Sequence, residues 1–212
     1  MVAGDTIVLF DGQGGEWTAV ITEMGKRNAL VQLQAFDEIE RETPLNITLV
    51  QALATSDKMD LIVQKAVELG VTAIQPVASE RATLKLTGER EQKRTAHWQG
   101  VAQSACEQCG RNRIPAVGSV MSLDAWLATP ANGLRLMLHP ESKATLTEAV
   151  ATQPGVPLSL LIGPEGGFSA REIALAVQHD VQGVRLGPRV FRTETAALAA
   201  LAVLNAVHGD LK

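Results

Sequence analysis

The sequence predicts an α/β chain, a parallel sheet with helices on its faces, preceded by a small β domain. Three observations carry this. From Ile47 onward, apolar runs of strand length alternate with amphipathic helical stretches, the pattern of β-α crossover units. Before Pro44 the runs are short and joined by an Asp-Gly turn, as in antiparallel hairpins. The 212 residues, 46% hydrophobic and 20% charged, suit one large domain or a medium and a small one with an ordinary core. That composition excludes a disordered tail, a collagen-like fibre and a disulfide-stapled miniprotein.

The elements follow in order. Residues 6–10, 16–21 and 30–33 read as strands around the turn Asp11-Gly12-Gln13-Gly14-Gly15. About 45 residues of strand are too few for an independent barrel. Met1 precedes a strand that reads as internal, so the expectation is a β domain, 1–45, lacking its beginning, followed by a domain over 46–212. Residues 47–53 form a strand; Ser56 or Asp57 caps a helix with Met59, Ile62, Val63, Ala66 and Leu69 on its apolar face, ending at Gly70. Further strands are expected at 71–77, 134–138, 158–162 and 184–186, and helices at 89–109, 170–178 and 194–207. The last helix is apolar around nearly its whole circumference and must be buried on more than one side, in a subunit interface or between sheet and helices. In such a sheet, ligands belong at the carboxyl ends of the strands.

Charge and cysteine usage narrow the classes further. Net charge is −4; residues 1–50 hold 3 basic and 8 acidic side chains, leaving 16 and 15 for the rest. The whole chain is therefore not a basic nucleic-acid binder, but positive patches stand at 80–113 and at Arg185, Arg189 and Arg192. Aromatics are 3% with no tyrosine, against a base-stacking platform. No apolar run approaches the roughly 18–20 residues of a membrane span, and no signal peptide is evident, so the chain reads as soluble and cytoplasmic. Cys106 and Cys109 have C-x-x-C spacing without a second pair to complete a zinc site, and read as packing residues. Histidines at 97, 139, 179 and 208 form no metal or triad pattern; no metal is expected.

Three segments can carry chemistry. In residues 158–169 an apolar strand runs into Gly163-Pro164-Glu165-Gly166-Gly167, and Ser169 with Glu172 makes a capping box. Three glycines let a ligand press on main-chain groups without meeting a Cβ, although a tight βα turn with no ligand reads equally well. The segment is neither a Walker loop nor G-x-G-x-x-G, which speaks against an ordinary dinucleotide site. The second segment, 184–195, has a Gly-Pro turn and a basic loop; the two loops could make one pocket bordered by Arg189 and Arg192, whose plainer reading is solvated charge. The third comprises residues 104–111 with Ser79-Glu80-Arg81 and Lys85. His139 ends a strand where a pocket wall belongs, or is a hydrogen-bonded strand-end residue.

Taken together, Lys58-Met-Asp, Gln64-Lys-Ala-Val-Glu-Leu-Gly-Val71, Ser79-Glu-Arg81, Glu107-Gln-x-Gly-Arg111, Ile162-Gly-Pro-Glu-Gly-Gly-Phe-Ser169 and Leu186-Gly-x-Arg-Val-x-Arg-Thr-Glu-Thr-Ala196 resemble the RsmE family. These are the 16S ribosomal RNA uracil-N3 methyltransferases of the SPOUT superfamily. The resemblance spans essentially the whole chain. It implies a PUA-like β domain, incomplete here, that helps bind RNA, and an α/β domain with a C-terminal deep trefoil knot, an exception to the rule against threaded chains. It also implies a homodimer acting on uridine 1498 of 16S ribosomal RNA or of the 30S subunit, with neither membrane nor metal.

Carried over residue by residue, the resemblance puts bound S-adenosylmethionine against Leu138, His139, Ile162, Gly163, Gly166, Gly167, Leu186, Gly187, Val190, Phe191 and Thr193. Methylation at N3 needs the proton to leave and negative charge on the uracil to be stabilised, which points to Arg192 and Arg111 for the charge and Glu194 for the proton, while Arg81, Lys85, Arg111, Arg113 and Arg189 are expected to contact RNA. Two departures stand: a basic β segment that opens the family pattern is absent, and Cys109 occupies a position where serine is frequent. Rival readings are another SPOUT enzyme, acting on a ribose 2′-oxygen or a transfer RNA base, and a non-enzymatic RNA-binding module of ribosome assembly.

Overall fold

The computed structural model describes residues 1–211; the last residue of the expected second domain, Lys212, lies outside them. The chain divides into two compact units. One is residues 1–42 with 106–114, the other 43–105 with 115 onward. The first unit thus takes in, beside residues 1–42, a distant segment that periodicity gives no reason to place with them.

In the first unit, β1 (Thr6–Leu9), β2 (Glu16–Met24) and β3 (Ala29–Asp37) form an antiparallel sheet in that order. Alternation places Ala19 and Ile21 on the buried face, and Trp17 pairs with Phe36 across the strands, ring centroids 4.9 Å apart. Residues 106–114 belong here because polar groups hold them: Arg111 Nε donates to Glu42 at 3.0 Å, Asn112 Nδ2 to the Ile39 carbonyl at 2.7 Å, and Arg113 Nε to Glu40 at 2.7 Å.

The second unit contains β4 (Ile47–Ala52), α1 (Ser56–Glu68), β5 (Ala73–Ala78), most of α2 (Glu89–Cys109), β6 (Ala116–Val117), β7 (Met121–Ser122), α3 (Leu123–Leu127), β8 (Leu134–Leu138), α4 (Leu146–Val150), β9 (Leu158–Ile162), α5 (Ala170–Gln178), β10 (Gln182–Val184) and α6 (Thr193–His208). Its sheet is parallel in the order β10-β8-β9-β4-β5-β6, with β7 also on β5. The central strands are apolar on both faces, as a doubly covered sheet requires. Val50, Ala52, Met137 and Leu161 pack with Trp126 and Leu127 of α3 and Ala176 of α5. The alternate position Gln51 turns to the other face, toward α6.

Three expectations change. Helix α1 begins at Ser56, so its cap is Thr55, with no side-chain capping bond, rather than Ser56 or Asp57. The strand expected at 184–186 lies at Gln182–Val184, because the chain leaves the sheet after Val184 and Arg185 pairs with Thr145 instead. Helix α6 buries one stripe, Ala197, Ala200, Leu201, Leu204 and Asn205, while Leu198, Ala199, Ala202 and Val203 are half-buried, so among the described residues the burial expected on more than one side is supplied only in part. Elements β6, β7, α3 and α4 had no sequence expectation. Each is five residues or shorter, below the length at which periodicity speaks, although Thr145 and Glu148 do form a capping box that marks α4.

Candidate active site

Parallel strands send their chain out on one side, and three loops gather at the carboxyl ends of β8, β9 and β10. Between them lies a cavity of about 580 Å³, within the range of small-molecule sites. Leu138, His139 and Pro140 line it from the first loop, residues 162–168 from the second, and Val184, Arg185, Leu186, Gly187 and residues 189–193 from the third. Lys58 of α1 and Ala196 of α6 complete the wall.

The second loop is held open by its own chemistry. Ser169 and Glu172 form the expected capping box, and the other Glu172 oxygen accepts the Glu80 N–H at 2.8 Å. Arg81 Nη1 donates to the carbonyls of Gly166 at 3.2 Å and Phe168 at 3.3 Å. The second and third loops are joined directly, since the Thr193 hydroxyl donates to the Gly163 carbonyl at 2.6 Å. Two glycines are conformationally required: Gly167 at φ +65° and Gly187 at φ +118°, where an added Cβ would meet nothing within 4 Å. Both therefore present bare backbone on the cavity wall.

All eleven residues expected to hold a cofactor line this cavity, as do Arg189 and Arg192. Arg189 and Arg192 are exposed; His139 donates its backbone N–H to the Val184 carbonyl at 2.8 Å. Glu194 is not among the lining residues but stands in the first turn of α6, one carboxylate oxygen 3.5 Å from Lys58 Nζ and without a hydrogen bond there among the described residues. Lys85 is exposed on the loop after β5. Arg111 and Arg113 are not among the lining residues: Arg111 is buried against Glu42, and Arg113 pairs with Glu40 and donates to the Gln13 carbonyl.

Lys58 and Glu165 are charged lining residues to which sequence reasoning assigned no individual role. Lys58 Nζ lies 3.2 Å from Glu165 and 3.5 Å from Glu194. Burial pushes the Glu165 carboxyl up, but backbone N–H groups and Lys58 outweigh it and leave the group below its ordinary value. The Lys58-Met-Asp motif was visible, but which loop the lysine would meet was not.

The family described as RNA methyltransferase domain matches residues 41–205, and that described as RNA methyltransferase PUA domain matches 1–34. Ribosomal RNA small subunit methyltransferase E of Buchnera aphidicola (subsp. Acyrthosiphon pisum) is 32% identical over 211 residues, covering 98% of this chain and 82% of that protein. The crystal structure of the Neisseria gonorrhoeae protein of the same name, bound to S-adenosyl methionine, superposes with a TM-score of 0.93 at 41% identity, over 99% of this chain and 86% of that one. A Legionella pneumophila structure described as a putative methyltransferase with bound cofactor SAM gives 0.93 at 42% identity, over 100% and 86%.

The parallel sheet, the backbone-lined cavity at its strand ends and these matches define an RNA methyltransferase. The chain belongs to the ribosomal RNA small subunit methyltransferase E family.

Proposed function

We propose that this chain methylates N3 of a uridine in small-subunit ribosomal RNA, with S-adenosylmethionine held in the cavity at the ends of β8, β9 and β10. The observation that carries the reading is the Thr193–Gly163 bond, which fastens two main-chain-lined loops around one hollow. The residues fit the cofactor: bare backbone at Gly167 and Gly187 leaves space that a Cβ would take, and Leu138, Ile162, Leu186, Val190 and Phe191 offer apolar wall. Gly163, Gly166, His139 and Thr193 would complete its contacts. When bound, the cofactor supplies an electrophilic methyl group on a sulfonium.

The chain's own residues do the rest. Uracil N3 keeps its proton at neutral pH, so transfer requires the proton to leave and the developing anion to be stabilised. Arg192, exposed on the cavity wall, carries the positive charge for O2 or O4, and Glu194, in the first turn of α6 next to the lining residue Thr193, is the proton acceptor. Arg111 is left out of this role because its guanidinium is engaged by Glu42. Arg81, Lys85 and Arg189 present exposed positive charge to the RNA phosphates; Arg113, paired with Glu40, contributes less.

The finer architecture belongs to the same reading. A SPOUT-type deep trefoil knot in the C-terminal part is supported by the strand order, in which β10 lies at the edge beside β8 while α6 returns to pack on β9, α1 and α4. A homodimer is supported by the half-open apolar side of α6. Membership of the three-stranded sheet in a larger PUA-like barrel is supported by Trp17, Leu33 and Phe36, large apolar side chains that remain exposed. The enzyme would work in the cytoplasm, on 16S ribosomal RNA or the 30S subunit.

Titration calorimetry with S-adenosylmethionine tests the cofactor, since a pure RNA-binding module gives no heat. Primer extension on ribosomal RNA from a deletion strain tests the position. N3 methylation blocks Watson–Crick pairing and stops reverse transcriptase at all nucleotide concentrations, whereas a ribose 2′-O-methyl stops it only when nucleotides are scarce. A wild-type stop that persists in the deletion strain overturns the proposal.

A further inference from the structure

We infer that Gln51 is a positioning residue for the methyl-donor site, acting through Thr193. Gln51 sits near the end of β4, in register with Ile162 of β9, the residue immediately before Gly163. It is fully buried, and its neighbours Leu49, Val50, Ala52 and Leu53 are apolar and buried too. Its amide nitrogen is 2.8 Å from the Ala52 carbonyl and 3.0 Å from Thr193 Oγ1.

The direction of these bonds is fixed by what each atom can do. The Ala52 and Gly163 carbonyls only accept. The Gln51 atom facing Ala52 is therefore the NH2, and the Thr193 proton is spent on Gly163. Thr193 oxygen must then accept from Gln51, giving a single relay: Gln51 NH2 to Thr193 hydroxyl to Gly163 carbonyl. One rotamer of Thr193 satisfies it, and that rotamer ties the first turn of α6 to the loop after β9.

Stability alone gives no reason for an amide here. The Gln51 Oε1 atom is buried and has no hydrogen-bond partner among the described residues, a penalty that an apolar side chain of similar length would not incur. What the amide adds is orientation: a buried, fully directed donor that holds a cavity-lining hydroxyl in one state. Gln51 itself is not among the cavity-lining residues, so it reaches a bound methyl donor only through Thr193.

The inference rests on the methyl-donor reading of the cavity, and one set of calorimetric titrations with S-adenosylmethionine separates the two. Wild type, Gln51→Leu, Thr193→Val, the double variant and Thr193→Ser are compared, with thermal midpoints recorded for each. Gln51→Leu and Thr193→Val should each weaken binding about five- to tenfold, the worth of roughly one directed hydrogen bond. The double variant should be no weaker than either single one, because both break the same relay. Thr193→Ser should retain near wild-type affinity, and the Gln51→Leu midpoint should stay close to wild type. Should Gln51→Leu fail to fold, Gln51→Met serves: an unbranched thioether of similar length fills the same space and donates nothing, so affinity should fall by the same five- to tenfold. Wild-type binding with unchanged affinity in these Gln51 variants, or additive losses in the double variant, overturns the inference and leaves the cofactor reading standing. No binding by wild type overturns both.

Discussion

Lys58 on α1 and Glu165 on the loop after β9 stand 3.2 Å apart, and the same Glu165 oxygen accepts the Thr55 backbone N–H at 3.2 Å. One carboxylate thus replaces the missing side-chain cap of α1 and pins the start of that helix to the cavity wall. A carboxyl held below its ordinary value of 4.5 stabilises the fold while ionised, so its contribution is complete above that value and disappears as the pH falls through the lowered one. Removing the cation by Lys58→Met should move the acid loss of stability to higher pH. At neutral pH the cost should be small, because both side chains are a quarter exposed and solvent screens the pair. Denaturation midpoints measured from neutrality down to about pH 3 check both statements.

Glu172 should be the more sensitive carboxylate. It is 1% exposed, and its two oxygens accept the backbone N–H groups of Ser169 and Glu80. Glu172→Ala removes one side of the capping box and leaves both donors without this partner, a loss of about 2–4 kcal/mol. Glu172→Gln keeps one acceptor oxygen and should lose less. Urea denaturation of the two variants gives the order.

Gly187 and Gly88 separate backbone strain from ligand space. Both have positive φ, +118° and +57°, and at neither would a Cβ meet an atom within 4 Å. Gly88 lies in the loop before α2, away from the cavity lining. Gly88→Ala should cost about 1 kcal/mol and leave cofactor affinity alone, since alanine tolerates the left-handed region at small cost. Gly187→Ala should cost more stability, because φ +118° lies outside that region, and weaken S-adenosylmethionine binding at least tenfold. Equal affinities in the two variants would count against the cavity.

Arg192→Ala should reduce methyl transfer at least a hundredfold while changing cofactor affinity less than threefold, the signature of a group that meets charge only as it develops. Single-turnover transfer to ribosomal RNA, set beside calorimetry, distinguishes this from a binding defect. Unchanged transfer removes Arg192 from the mechanism.

Cys106 should resist alkylation in the native protein. Its side chain is fully buried, and burial pushes the thiol up to about 11, outweighing the nearby Arg111 guanidinium. Iodoacetamide at about pH 8 should modify Cys106 only on unfolding, with half-buried Cys109 reacting first; mass spectrometry of timed samples gives the order.

Much of the catalytic unit was legible in the chain. The strands Leu134–Leu138 and Leu158–Ile162 and the helices Glu89–Cys109 and Ala170–Gln178 fall where their patterns placed them, because long apolar runs and capping residues are local signals. Short elements such as α3 did not show, since five residues carry too little periodicity. The end of β10 shifted for a tertiary reason: the partner of Arg185 is Thr145, forty residues away, which no local pattern encodes.

The residues that surround the cavity were readable as two glycine-bearing loops, because glycine before a helix is a statement about backbone conformation that needs no neighbour. Which charges and polar groups join those loops was not. Lys58, Glu165, Gln51 and Thr193 meet only when β4 and β9 lie side by side and α6 folds back across them, and Arg111 met Glu42 instead of the cavity. Sequence determined the elements and the bare-backbone wall through short-range sterics and hydrophobic period; the tertiary structure alone decided the partners, because a charge or hydroxyl finds its mate by distance in space and carries no mark of it along the chain.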